Sequence, residues 1–156
     1  PGDLVYLPPG TVHALCRGVM IYEVQQSSDI TFRIHDYDRL GLDGKPRELH
    51  LDQAMEVIDF QSKPDVQSSD DDGITVLLEA DHFRLERVRM NSGSISHPPC
   101  QSFATATLIG GEAVIRSGEA YYNLKRGNTC LISANCPFEM EQKSATSVEY
   151  LISSVP

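Results

Sequence analysis

Gly2-Asp3-Leu4-Val5-Tyr6-Leu7-Pro8-Pro9-Gly10-Thr11-Val12-His13 is the stretch that decides how this chain is read. Its spacing is Gly, five residues, Pro, one residue, Gly, two residues, His. Physically, this is a strand that runs into a tight turn with an imidazole just beyond it. A metal site takes three or four donors, and only one is visible here. If the imidazole is such a donor, the others are expected upstream of this stretch. Pro1-Gly2-Asp3 itself reads as the middle of a protein rather than its start.

Composition narrows the partners. A chain of 156 residues has room for one domain, or for one small domain and a remnant. Hydrophobic residues make up 40%, enough for a core, and 22% are charged, as suits a soluble protein. The net charge is −9 and no Lys/Arg-rich run occurs, so neither nucleic acid nor an anionic membrane is expected as a partner. A phosphorylated substrate stays open, because one local Arg or Lys can decide that binding. No apolar run approaches the ~18 residues of a membrane-spanning helix. Cys16, Cys100, Cys130 and Cys136 are scattered without a CxxC pair. They are expected to be reduced, mostly buried thiols of a cytoplasmic protein.

Along the chain, Leu4 to Ile34 reads as strands. Val19 to Gln26 and Ile30 to His35 are β-rich and joined by the polar turn Ser27-Ser28-Asp29. Ile30, Phe32 and Ile34 alternate with Thr31, Arg33 and His35, so Arg33 faces away from the apolar set. That leaves it either in a polar, ligand-bearing interior or in solvent. Residues 36–46 read as a loop. Leu51, Ala54, Met55 and Ile58 recur at helical spacing with Asp52 near the start, which predicts a short helix over 50–59. Residues 61–73, with the acidic run Ser68-Ser69-Asp70-Asp71-Asp72, read as a solvated connection rather than a cation site. From Ile74 onward the chain reads as β. Strands are predicted over 74–78, 82–90, 102–109, 112–116, 119–124, 129–133 and 147–153, with Gly- and Asn-rich turns between them. Short strands at this spacing suit a sandwich or small barrel.

Gly127-Asn128-Thr129-Cys130-Leu131-Ile132-Ser133-Ala134-Asn135-Cys136-Pro137-Phe138 repeats the opening stretch with its chemistry removed. Gly127 takes the place of Gly2, Ser133 that of Pro8, Asn135 that of Gly10 and Phe138 that of His13. Asn tolerates the left-handed backbone that Gly supplies in such a turn, but Phe cannot bind a metal. Upstream, His97 stands where a first metal-binding motif would lie. Pro99 occupies the place of a second His, so His97 reads as a surface loop residue. Tyr121 and Tyr122 adjoin in a predicted strand and read as one core and one surface residue. His35, His50 and His82 read as structural or exposed. Gln25 and Gln26 read equally well as active-site polar groups or as turn residues.

The spacing of residues 2–13 is that of the second metal-binding motif of the cupin barrels. Residues 1–60 further resemble type I phosphomannose isomerase, particularly its short bacterial form. The resemblance is carried by Tyr6-Leu7-Pro8-Pro9-Gly10-Thr11-Val12-His13-Ala14 and by Tyr22-Glu23-Val24-Gln25-Gln26-Ser27-Ser28-Asp29-Ile30-Thr31-Phe32-Arg33. Asp36-Tyr37-Asp38-Arg39 and Arg47-Glu48-Leu49-His50 continue it. Over residues 74–156 the resemblance is looser and mainly architectural.

The resemblance implies a mainly β chain, the C-terminal half of that enzyme. It would comprise the end of a catalytic cupin (residues 1–49), a helix and acidic linker (50–73), and a metal-free cupin-like jelly roll (74–156). It implies one zinc ion with His13 as its last ligand, Arg33 as a catalytic residue, and Asp29, more weakly, near the sugar. The missing N-terminal half of the same protein would be the partner that supplies the other ligands, and without it the chain would be inactive. The implied reaction interconverts mannose 6-phosphate and fructose 6-phosphate through a cis-enediol. Arg33 is permanently charged, so its implied part is to stabilise the enediolate or hold the substrate, with phosphate contact as an alternative. A non-catalytic sugar-binding or regulatory cupin is the rival reading; retention of both His13 and Arg33 argues against it.

Overall fold

A computed structural model of the chain describes residues 2–68 and 71–156. Ser69 and Asp70, in the middle of the acidic run, lie outside the described residues. The chain divides into two compact units, Leu4–Val66 and Gln67–Pro156, the second grouped with residues 1–3.

The smaller unit is mostly irregular. Strand β1 (Leu4–Tyr6) pairs with β2 (Asp65–Gln67), a strand within the segment expected to be a plain connection. The predicted helix is present as α1 (Leu51–Val57), with Asp52 in its first turn, where a carboxylate favours the helix dipole. Only Ala54 of its apolar face is buried; Leu51 and Met55 are exposed. Residues 19–26 and 30–35 carry no strand, against the sequence expectation. Their composition is right, but a strand also needs a ladder partner, and none is provided among the described residues. Val19, Met20, Ile21, Ile30, Phe32 and Ile34 are accordingly exposed, Met20 to 91%.

The larger unit carries the rest of the chain's regular structure: β3 (Gly73–Glu79), β4 (Arg84–Met90), β5 (Ser94–His97), β6 (Ala104–Gly110), β7 (Glu112–Ser117), β8 (Ala120–Lys125), β9 (Thr129–Ile132), β10 (Phe138–Gln142) and β11 (Val148–Ser154). They form two antiparallel sheets, β5-β10-β7-β8 and β3-β4-β11-β6-β9. The chain repeatedly changes sheet, as from β4 to β5, β5 to β6, β8 to β9 and β10 to β11. That winding makes a jelly roll of the double-stranded β-helix kind, as expected. Predicted strands are present at every position named from residue 74 onward, while β5 and β10 are additions.

One core joins the two sheets. Val148, Tyr150 and Ile152 point inward from β11 and meet Ala104, Ala106 and Leu108 from β6, with Phe138 and Met140 arriving from β10. Tyr150, Leu108, Met140, Val88 and Val148 are the largest fully buried side chains. Burying such groups stabilises by about 1.5–3 kcal/mol each before entropy is counted.

Candidate functional site

The turn at Pro8-Pro9-Gly10 is pinned from behind. Thr11 N–H donates to the Pro8 carbonyl at 3.2 Å, and Asp59 N–H donates to the Gly10 carbonyl at 3.1 Å. The Thr11 and Ser62 hydroxyls lie 2.6 Å apart. Gly10 has φ +84°, and a Cβ there would stand 2.7 Å from the Val57 carbonyl oxygen. Only glycine fits both the backbone angle and the space. The segment after α1 thus braces the turn that carries His13.

His13 is exposed, and its Nδ1 lies 2.9 Å from the Thr11 carbonyl oxygen. A carbonyl can only accept, so Nδ1 carries the proton and donates. In the neutral ring this leaves the Nε2 lone pair facing outward, the form in which imidazole binds a metal. The sequence pointed to His13 but gave no partner for its second nitrogen; the partner is a backbone atom two residues away.

Arg33 is held by its neighbours along the chain. Its N–H donates to His50 Nδ1 at 3.0 Å, and His50 N–H donates back to the Arg33 carbonyl at 2.8 Å. The guanidinium Nη1 donates to the Glu48 carbonyl at 3.0 Å. Its Nε stands 3.7 Å from Asp36 Oδ1, with the side chain 25% exposed. Alternation across residues 30–35 is therefore absent: Arg33 is half-buried and its neighbours on both sets, apolar and polar, are exposed.

Asp36, which sequence reasoning used only as part of a motif, is the hub. Its buried carboxylate takes Arg47 through two contacts, Nε to Oδ2 at 2.6 Å and Nη2 to Oδ1. Arg39 Nη2 joins at 3.1 Å. Hydrogen bonds from Arg47, and then the charges of Arg47, Arg39 and Arg33, hold the carboxyl below the usual range although burial pushes the other way. The bridge between Leu40 and Pro46 folds the loop so that Arg47 reaches Asp36. No sequence period could have disclosed that closure. Asp29, Gln25 and Gln26 are exposed, and His35 is exposed with an edge contact to Tyr37.

Among the described residues no group of three or more His, Cys, Asp or Glu side chains is placed to hold a metal ion. His13 has the right chemistry for one donor, but the described residues do not make a complete metal centre.

The second copy of the motif keeps the left-handed positions and has a different outcome. Gly2 and Gly127 have φ of +89° and +88°, and Gly10 and Asn135 have +84° and +58°. At the His13 position, Phe138 lies in β10 opposite His97 of β5. Their rings stack with centroids 4.5 Å apart and planes inclined by 13°. His97 Nε2 lies 2.7 Å from the Tyr150 hydroxyl. The expectation of a surface loop histidine is thus overturned: His97 is a buried core residue. Burial pushes its pKa down, with the Glu86 charge pulling the other way, and burial pushes the Tyr150 phenol up.

Two smaller expectations also change. Tyr121 and Tyr122 are both exposed, on the edge strand β8. All four cysteines are free, but Cys16 is exposed and the other three are only half-buried. No helix among the described residues is long and apolar enough to cross a membrane.

No family model matches the chain. The chain is 39% identical over 137 residues to the mannose-6-phosphate isomerase ManA of Bacillus subtilis (strain 168), covering 85% of this chain and 43% of that protein. It is 34% identical over 140 residues to the probable mannose-6-phosphate isomerase GmuF of the same organism, covering 86% and 44%. It thus spans less than half the length of these relatives. Among solved structures, an uncharacterized Klebsiella pneumoniae protein with a double-stranded β-helix domain superposes with TM-score 0.50 at 20% identity. That match covers 58% of this chain and 82% of the other, and it establishes the fold alone.

Proposed function

We propose that this chain is the C-terminal portion of a zinc-dependent mannose-6-phosphate isomerase, the enzyme type to which it is similar over some 85% of its length. In this reading residues 1–49 end a catalytic cupin and residues 74–156 form a second cupin without a metal. The remaining part of the protein, outside this chain, supplies the other zinc ligands. It also supplies the cover for the exposed apolar residues of 19–35. The free thiols accord with the cytoplasm.

The observation that carries the reading is the exposed His13 ring, its Nδ1 2.9 Å from the Thr11 carbonyl oxygen, on a turn held by hydrogen bonds at Pro8 and Gly10. Zinc bound there would act as a Lewis acid toward the sugar's oxygens. Arg33 does the part this chain can perform alone. The isomerisation passes a proton between C1 and C2 through a cis-enediol, which gathers negative charge on oxygen. A fixed guanidinium beside that charge stabilises it without having to reorganise. Its permanent charge excludes it as the base. Asp29 stands as the weaker candidate for a sugar contact.

The test is mannose 6-phosphate turnover by the complete protein. His13→Ala and Arg33→Ala should each lower kcat by about 10²-fold or more. A complete protein that binds the sugar phosphate but does not convert it would favour a non-catalytic sugar-binding module. Near wild-type turnover in either variant would remove that residue from the reading.

A further inference from the structure

The loop after Arg33 and the turn at Arg17 together line an open cavity of about 390 Å³, bounded by Leu15, Cys16, Arg17, Tyr37 and Arg39. Two of these five residues are arginines, in a chain whose net charge is −9. Arg39 is set in place before any ligand arrives. Its Nε donates to the Asp36 carbonyl at 3.3 Å, its Nη2 stands 3.1 Å from Asp36 Oδ1, and its guanidinium carbon lies 5.9 Å from the Tyr37 ring centroid. The side chain is nevertheless 62% exposed, so donors remain open to solvent.

The backbone beneath is costly. Tyr37 and Asp38 have φ of 52° and 57°, two successive non-glycine residues in the left-handed region. Each costs on the order of 1 kcal/mol, and such strain persists only where the surroundings impose it. Here the two residues lie between Asp36 and Arg39, which are joined by an ion pair, and Arg39 lines the cavity. Asp36 does not neutralise Arg39 either, because one carboxylate is shared among three guanidinium groups and Arg47 takes both of its oxygens.

We propose that this cavity binds a phosphate monoester dianion, with Arg17 and Arg39 as its guanidinium donors and Asp36 as a positioning residue. The chemistry is the match between planar N–H forks and phosphoryl oxygens. Resting on the isomerase reading, the dianion is the phosphoryl end of the sugar phosphate. Arg33 and Arg39 rest on the same Asp36 oxygen, which ties the phosphoryl-binding end to the reacting end.

The experiment is a titration of this chain with inorganic phosphate, followed through backbone amide NMR signals. The amides of residues 15–17 and 37–39 should shift and saturate, and Arg17→Ala or Arg39→Lys should weaken binding about tenfold. Arg17 is exposed, so its removal leaves folding intact; Arg39→Lys keeps the charge and removes only the fork. In the complete protein Arg17→Ala should raise KM for mannose 6-phosphate about tenfold, a larger change than it makes in kcat. An absent response at these amides, or equal binding by both variants, overturns the proposal. Phosphate binding here in a complete protein without isomerase activity would keep the cavity and remove the isomerase reading. An active isomerase indifferent to both substitutions would do the reverse.

Discussion

Residues 2–13 and 127–138 share positive-φ residues at two matching positions and end in opposite side chains. In each, a glycine near +88° opens the stretch and a left-handed residue turns it. In the first copy the turn is braced by Asp59 and Ser62 and delivers an exposed imidazole with a free lone pair. In the second it delivers Phe138 onto His97 beneath Tyr150, in the middle of a core. The backbone of the motif is therefore separable from its chemistry. What the last residue meets decides whether the turn serves a ligand or a core.

The largest effect that could break this comparison lies at its last position. Phe138→Ala should destabilise the jelly roll by about 3–5 kcal/mol, because the cavity it leaves sits between buried rings. His13→Ala, at the matching position, should change the stability of this chain by less than about 0.5 kcal/mol, since the ring is exposed. Urea unfolding of both variants checks the pair; equal costs would remove the distinction.

The turn itself comes next. Gly10→Ala places a Cβ against the Val57 carbonyl in a backbone that L-residues avoid, and should cost about 1–3 kcal/mol in the smaller unit. Asn135→Gly should stay within a few tenths of a kcal/mol, as Asn already pays little in that conformation. Thermal unfolding of the two variants checks this, and a tolerant Gly10 would mean that the turn is not braced.

A smaller effect sharpens the contrast through pH. The folded state lowers the pKa of His97, so the unfolded chain binds protons more tightly there. The stability this protects is full above the ordinary histidine value of about 6.5 and declines as pH falls through it toward the folded value. His97→Gln, which cannot titrate, should flatten that acid-side loss in denaturant midpoints measured across pH. An unchanged slope would assign the loss to other groups.

Much of the jelly roll was legible because each strand carries its own signal. Ala104, Ala106 and Leu108, or Val148, Tyr150 and Ile152, alternate as strands must, and the Gly and Asn positions mark their turns. Strand β5 escaped notice because Ser94-Ile95-Ser96-His97 is short and runs into Pro98-Pro99, and its histidine looked like loop. The ribbon 19–35 failed for another reason: its local preference is for strand, but pairing is not a local property. His13 and Arg33 stood out by motif and resemblance. The Asp36 hub did not, because Arg47 reaches it only after a loop closes, and neither charge nor spacing announces a closed loop.

The central claim is that His13, and not its counterpart at Phe138, belongs to a metal site completed by the rest of the protein. Metal analysis of the complete protein tests it most directly. A single zinc per chain should be present, lost in His13→Ala and kept in His97→Gln. Full zinc in His13→Ala, or its loss in His97→Gln alone, would contradict the account.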